Sequence, residues 1–171
     1  SNAQRLAIFD NDGKKICTVP LGNLTPKSLG EKLYSFGAIS DLHLQYSTAQ
    51  DDFQKALTYF NDTEDVSFIC VCGDLTSVGT EDNLAVYKDY VDTYSPNTPV
   101  YAIAGNHESY AEDWSQNGEE VVKSRIETYT GKPLYYSFTY KNDVFIMVGV
   151  CRDGADFGIG GLQWLYETLE E

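Results

Sequence analysis

Three short polar clusters, each closing an apolar run, constrain this chain more than any other feature. They are Asp41-Leu42-His43, Gly73-Asp74 and Gly105-Asn106-His107-Glu108. The runs before them are Tyr34 to Ser40, Val66 to Cys72 and Val100 to Ala104, and short apolar runs bounded by turn residues read as strands. Between them lie helical patterns. Thr48 to Phe60 carries Ala49, Phe53, Ala56, Leu57 and Phe60 at helical spacing; Asp82 to Tyr94 repeats it with Leu84, Val86, Tyr87, Tyr90, Val91 and Tyr94. Strands alternating with helices predict a mostly parallel sheet with covering helices. Strand ends in such sheets gather ligand-binding groups, so residues far apart in sequence converge there.

The remaining segments extend this α/β frame. A third helix is expected over Glu119 to Tyr129, then strands Tyr135 to Tyr140 and Val144 to Val150 joined by the turn Lys141-Asn142-Asp143. That late hairpin adds antiparallel character. Gly160-Gly161 precedes a last amphipathic helix with Leu162, Trp164, Leu165 and Leu169 apolar. At the other end, Ser1-Asn2-Ala3 reads as the scar of a removed purification tag. Residues 4–33 read as a hairpin, with Leu6 to Phe9 out, Asn11-Asp12-Gly13 turning and Ile16 to Val19 back, followed by a linker from Pro20 to Gly30. Residues 34–171 hold the main domain.

Charge excludes some partners. The chain has 26 acidic against 12 basic residues, a net charge of −14. Such a surface repels nucleic-acid backbones and anionic membranes, so neither is expected as a partner. No run approaches the ~20 apolar residues of a membrane helix; a soluble chain is expected, with the compartment left open between cytoplasmic and secreted. Cys70 and Cys72 share one strand face, poorly placed for an unstrained bridge, and with Cys17 and Cys151 they read as buried free thiols. The 13 tyrosines are expected to pack against and rim the sheet. Asn23-Leu24-Thr25 and Asn61-Asp62-Thr63 fit a glycosylation pattern that also arises by chance, and Asp153 and Asp156 read as turn residues.

The clusters carry the chemistry. In Asp41-Leu42-His43 the two polar side chains sit two apart on what reads as an extended segment, so they point the same way. A carboxylate and a neutral imidazole aimed at one point can hold a borderline or hard divalent cation. Gly73 lets the backbone turn sharply and brings Asp74, whose two oxygens can bridge a pair of metals, close to the first cluster. Asn106 offers a neutral oxygen, and His107 beside it is a candidate proton donor.

In this order the three clusters resemble the motifs Asp-x-His, Gly-Asp and Gly-Asn-His-Asp/Glu of the calcineurin-like metallophosphoesterase superfamily. Tyr135-Tyr136-Ser137-Phe138 with its hairpin, and Gln163-Trp164-Leu165, look like the middle section of that family. The resemblance implies a layered sandwich of mixed β-sheets flanked by helices. It implies Asp41 and His43 on a first metal, Asp74 bridging, and Asn106 on a second. It places His107 opposite the leaving group, with Glu108 supporting its orientation. The cofactors implied are two divalent ions (Mn, Fe, Zn or Mg), and the reaction is attack of activated water on a small phosphate ester.

Departures narrow the branch. The second motif continues as Leu75-Thr76-Ser77-Val78-Gly79, without the Arg of the protein Ser/Thr phosphatases and without the metal-binding Tyr of purple acid phosphatases, whose position Ser77 fills. The family draws further histidines from downstream motifs, whereas this chain has two in all, His43 and His107. The expectation is therefore about the first half of a catalytic domain, with a weak second metal site, little activity alone, and self-association through the uncovered sheet. Two rival readings stand beside it. One is a haloacid-dehalogenase-like phosphatase built on Asp10 and Asp12, disfavoured because Asn-Asp-Gly-Lys14 suits a hairpin turn. The other is a binding or structural module that keeps the sheet without catalysis.

Overall fold

In a computed structural model the described residues are 5–9, 15–20, 32–111, 118–150, 157 and 160–170. The chain separates into two compact units, Ser1–Leu33 and Tyr34–Glu171. In the first, β1 (Arg5–Phe9) pairs antiparallel with β2 (Lys15–Pro20), with a register irregularity between Ile8 and Phe9. The return strand follows at once, as a hairpin requires. Asp10, Asp12 and the rest of the turn lie outside the described residues, as do Asn23 and the Pro20-to-Gly30 linker beyond Pro20.

The second unit runs β3 (Gly37–Ile39), α1 (Ser47–Thr58), β4 (Ile69–Cys72), α2 (Glu81–Tyr94), β5 (Val100–Ile103), α3 (Gly118–Thr130), β6 (Tyr135–Tyr140), β7 (Asp143–Val148) and α4 (Gly161–Glu170). Strands β3, β4 and β5 form a parallel sheet in that order; β6 and β7 form an antiparallel pair. The fold is mixed α/β, as the alternation predicts. The parallel strands are shorter than their apolar runs. Phe68, before β4, is buried like a strand residue although it stands outside the ladder. Helix α1 also overshoots its expected end, continuing as a π-helical turn over Tyr59–Thr63. There the Asn61 amide donates to the carbonyls of Leu57 and Tyr94, so the acceptor asparagine of the second glycosylation pattern is tied into the fold.

Both faces of the sheet are covered, which is why the strands read as continuous apolar runs instead of alternating ones. Ile69, Val71, Ala102 and Ala104 pack against Leu44, Phe53, Leu57, Leu84, Tyr87, Val122 and Ile126 on the helical side. Phe68 and Cys70 face the other way, against Tyr136 and Met147 of the hairpin. That second layer is aromatic. Phe138 stacks on Tyr101 at 3.7 Å between ring centroids and on Phe145 at 5.0 Å, and Phe68 meets Phe138 edge-on. The Tyr136 hydroxyl donates to the Ala102 carbonyl at 3.0 Å, which gives a buried phenol its partner. Part of the tyrosine content thus serves packing.

Helix α2 starts on Thr80, whose hydroxyl accepts from Asn83 N–H, with Glu81 and Asp82 in the positive first turn. Cys70 and Cys72 are free; Cys70 is buried as expected, whereas Cys72, the last residue of β4, is exposed. Among the described residues, no helix is long and apolar enough to cross a membrane.

Candidate metal centre

Parallel register brings the three strand ends level. Ala38 pairs with Cys70 and Cys70 with Tyr101, so the segments leaving β3, β4 and β5 emerge on one edge. Backbone bonds hold the first two together beyond the strands. Asp41 N–H donates to Gly73 O at 3.2 Å, His43 N–H to Asp74 O at 3.1 Å, and Leu44 N–H to Leu75 O at 3.2 Å. The extended geometry expected for Asp41 to His43 is not what forms. Asp41, His43 and Asp74 have φ of 56°, 46° and 52°, in the left-handed region, and Gly73 has φ of 90°. Carboxylate and imidazole still come together, with Asp41 Oδ1 4.0 Å from His43 Nε2, but through a coiled backbone and not the alternation of a strand.

Two glycines make the close approach of the second and third segments possible. A Cβ on Gly73 would lie 2.9 Å from Gly105 Cα, and one on Gly105 would lie 2.1 Å from Asp74 Oδ1 and 2.5 Å from Asp74 N. Asp74 therefore rests against a bare α-carbon. Gly105→Ala should cost about 1–3 kcal/mol in overpacking and push the Asp74 carboxylate aside. Urea denaturation checks the first effect; wild-type stability in the variant would contradict this packing.

His43, Asp74 and His107 each offer a ligand atom, and these atoms all lie within 4.8 Å of one another at half-buried positions. The His43 and His107 rings meet edge-to-face at 4.5 Å. His107 Nδ1 is 2.9 Å from the Ser77 carbonyl. A carbonyl only accepts, so Nδ1 carries the hydrogen and Nε2 of the neutral ring keeps its lone pair. His107 N–H donates to Asp74 Oδ1 at 3.2 Å. Asp41 stands at the edge of the group. Its side chain is 69% exposed, and its second oxygen accepts from the Ser40 hydroxyl at 2.5 Å. The Asn106 side-chain amide donates to the Tyr110 hydroxyl.

Glu108 does something the sequence did not suggest. Its side chain is buried, and its hydrogen bonds run to the loops after β4 and β5. Oε1 accepts from Thr76 N–H at 2.8 Å and from the Thr76 hydroxyl at 3.0 Å; Oε2 accepts from Gly105 N–H at 2.8 Å. One carboxylate thus clamps the loops after β4 and β5. Burial pushes its carboxyl up to about 7 against the three hydrogen bonds that favour its charge, and nearby Asp74 adds to the rise. Behind the clamp, Gly79 N–H donates to the Thr76 hydroxyl and Arg125 donates to the Gly79 carbonyl at 2.6 Å. Gly79, at φ 69°, would put a Cβ 2.0 Å from the Glu108 carbonyl oxygen. Thr76, Ser77, Gly79, Arg125 and Tyr110 are the site-supporting residues that sequence reasoning passed over. Only Gly79 had a usable signal, a glycine inside a polar loop.

A family model described as calcineurin-like phosphoesterase matches residues 34–163, more than half of the chain and most of the second unit. No curated protein matches.

Proposed function

Because the chain belongs to the calcineurin-like phosphoesterase family, we propose that it binds divalent metal at the three converging strand ends and hydrolyses a small phosphate ester there. The observation that carries this reading is the gathering of His43, Asp74 and His107 from three separate strand ends to within 4.8 Å. The donor set fits the task. Imidazole, carboxylate and amide oxygen suit Mn, Fe, Zn or Mg ions, and a ring nitrogen with its lone pair free is the state a ligand or proton carrier needs.

In this reading Asp41 and His43 would hold a first ion, Asn106 would hold a second, and Asp74 would contribute to both. Bound there, the ions would neutralise phosphoryl charge and lower the pKa of the attacking water. His107, with Nδ1 fixed on the Ser77 carbonyl, presents Nε2 to the leaving oxygen and delivers a proton when the ring is charged, a contribution of roughly 10²–10⁴-fold. Asp74 and the first cluster fix the position of the ester; the Glu108 clamp keeps Asp74 and His107 in mutual register. Asp41, His43 and Asp74 give the first ion three protein ligands, whereas Asp74 and Asn106 give the second two. The second ion therefore binds less tightly, and turnover by this chain is slow.

The test is hydrolysis of p-nitrophenyl phosphate and its bis ester by the 171-residue chain. Slow hydrolysis, removed by EDTA and restored by Mn²⁺, is the expected result. Hydrolysis indifferent to EDTA, or a chain that takes up no Mn²⁺ in calorimetry, would overturn the reading.

A further inference from the structure

We propose that Tyr110 is a positioning residue that turns the Asn106 amide so that its oxygen, and not its nitrogen, faces a bound cation. The proposal rests on the assignment of Asn106 as a metal ligand above. An asparagine amide has one end that can ligate a cation, the carbonyl oxygen, and one that cannot, the NH₂ donor. A ligand asparagine therefore needs something to hold its NH₂ away from the metal. Here the Asn106 NH₂ donates to the Tyr110 hydroxyl. With the nitrogen end committed, Oδ1 is the end left over.

The local backbone keeps the two residues in this relation. Asn106 precedes a 3₁₀ turn over His107–Ser109, and Tyr110 follows it. Ser109 N–H and the Ser109 hydroxyl both donate to the Asn106 carbonyl, at 3.1 and 2.6 Å, and Tyr110 N–H donates to the His107 carbonyl at 3.2 Å. The turn thus returns the Tyr110 side chain over the residue that begins it. Its ring lies 4.4 Å from the His107 ring, so the same side chain also walls one side of the imidazole. Core packing accounts for little of this placement. The residue is 44% exposed, unlike Tyr87 and Tyr136, which are buried in the core. Partners that orient ligands in this way usually matter 10- to 100-fold for metal affinity.

The test is Mn²⁺ titration calorimetry on the full chain, Tyr110→Phe, Asn106→Ala and the double variant. Tyr110→Phe keeps the ring against His107 and deletes only the hydroxyl, at a position exposed enough to accept the change. The expected result is a 10- to 100-fold weaker affinity for the second Mn²⁺ in Tyr110→Phe, which removes a ligand's supporting partner, and a larger loss in Asn106→Ala, which removes the ligand. The double variant should bind no more weakly than Asn106→Ala, as a shared route of action requires. Wild-type affinity in Tyr110→Phe beside a weakened Asn106→Ala overturns the proposal and leaves the phosphoesterase reading standing. Losses that add in the double variant likewise overturn it, since Tyr110 then acts by another route. An Asn106→Ala variant indistinguishable from wild type, or a wild type that takes up no Mn²⁺, removes Asn106 as a ligand and overturns both.

Discussion

Asp74→Asn should abolish Mn²⁺-dependent hydrolysis and lower Mn²⁺ affinity at least about 100-fold, while the metal-free protein stays folded. The two halves of this expectation come from different atoms. Asp74 Oδ1 accepts a hydrogen bond from His107 N–H, and the asparagine carbonyl oxygen can keep that bond. The second carboxylate oxygen and the negative charge are lost, and with them the group proposed to reach both ions. Loss of a ligand should exceed the 10- to 100-fold typical of losing a ligand's supporting partner. Thermal unfolding with and without Mn²⁺ measures this apart from turnover. A bound ion at 100 times its Kd stabilises by about 2.7 kcal/mol, so the wild-type transition should move upward and that of the variant should stay in place. Equal shifts in both proteins would remove Asp74 from the site.

Glu108→Ala should destabilise the protein by about 3–5 kcal/mol, the largest stability effect expected of a single change near the site. The carboxylate receives Thr76 N–H, the Thr76 hydroxyl and Gly105 N–H. Truncation strands a buried backbone donor at Thr76 and a part-buried one at Gly105, worth up to about 1–3 kcal/mol each when unsatisfied, and opens a hole where a buried side chain had been. The Thr76 hydroxyl can rotate, and it keeps Gly79 N–H as a donor, so it adds less. Such a loss is a large share of the 5–15 kcal/mol that separates folded from unfolded domains. Glu108→Gln should lie between, because its oxygen can serve Thr76 while its NH₂ meets the Gly105 N–H as donor against donor. Urea midpoints at constant m-value give the comparison. A Glu108→Ala loss below about 1 kcal/mol would mean that the loops do not depend on the clamp.

The frame of the fold was legible because its signals are repeated and physical. Leu84, Tyr87 and Val91 announce a helix through spacing, and the stretch from Val66 to Cys72 announces a strand covered on both faces. The meeting of the clusters was legible too, since parallel strands place their carboxyl ends together. What escaped has a common cause. Glu108 bonds to the N–H groups of Thr76 and Gly105, and every residue but proline offers an N–H, so no residue type marks the partner. Gly105 has no unusual φ; its need to be glycine comes from Asp74 on another segment. The left-handed turns at Asp41 and His43 arise from pairing with Gly73 and Asp74, a tertiary cause that local spacing cannot carry. Asp-x-His therefore predicted the right neighbours through the wrong backbone.

The left-handed backbone at Asp41, His43 and Asp74 also bears on how this protein would evolve under artificial selection. Outside glycine and, more weakly, Asn and Asp, that conformation costs roughly 1–2 kcal/mol per residue. Glycine would relieve that cost fully at His43 and in smaller part at Asp41 and Asp74, and it would erase a candidate ligand each time. A library screened for heat resistance alone should thus drift toward glycine at the very positions that a screen for metal-dependent turnover would hold fixed. Selection for durability and selection for chemistry pull on the same three residues in opposite directions.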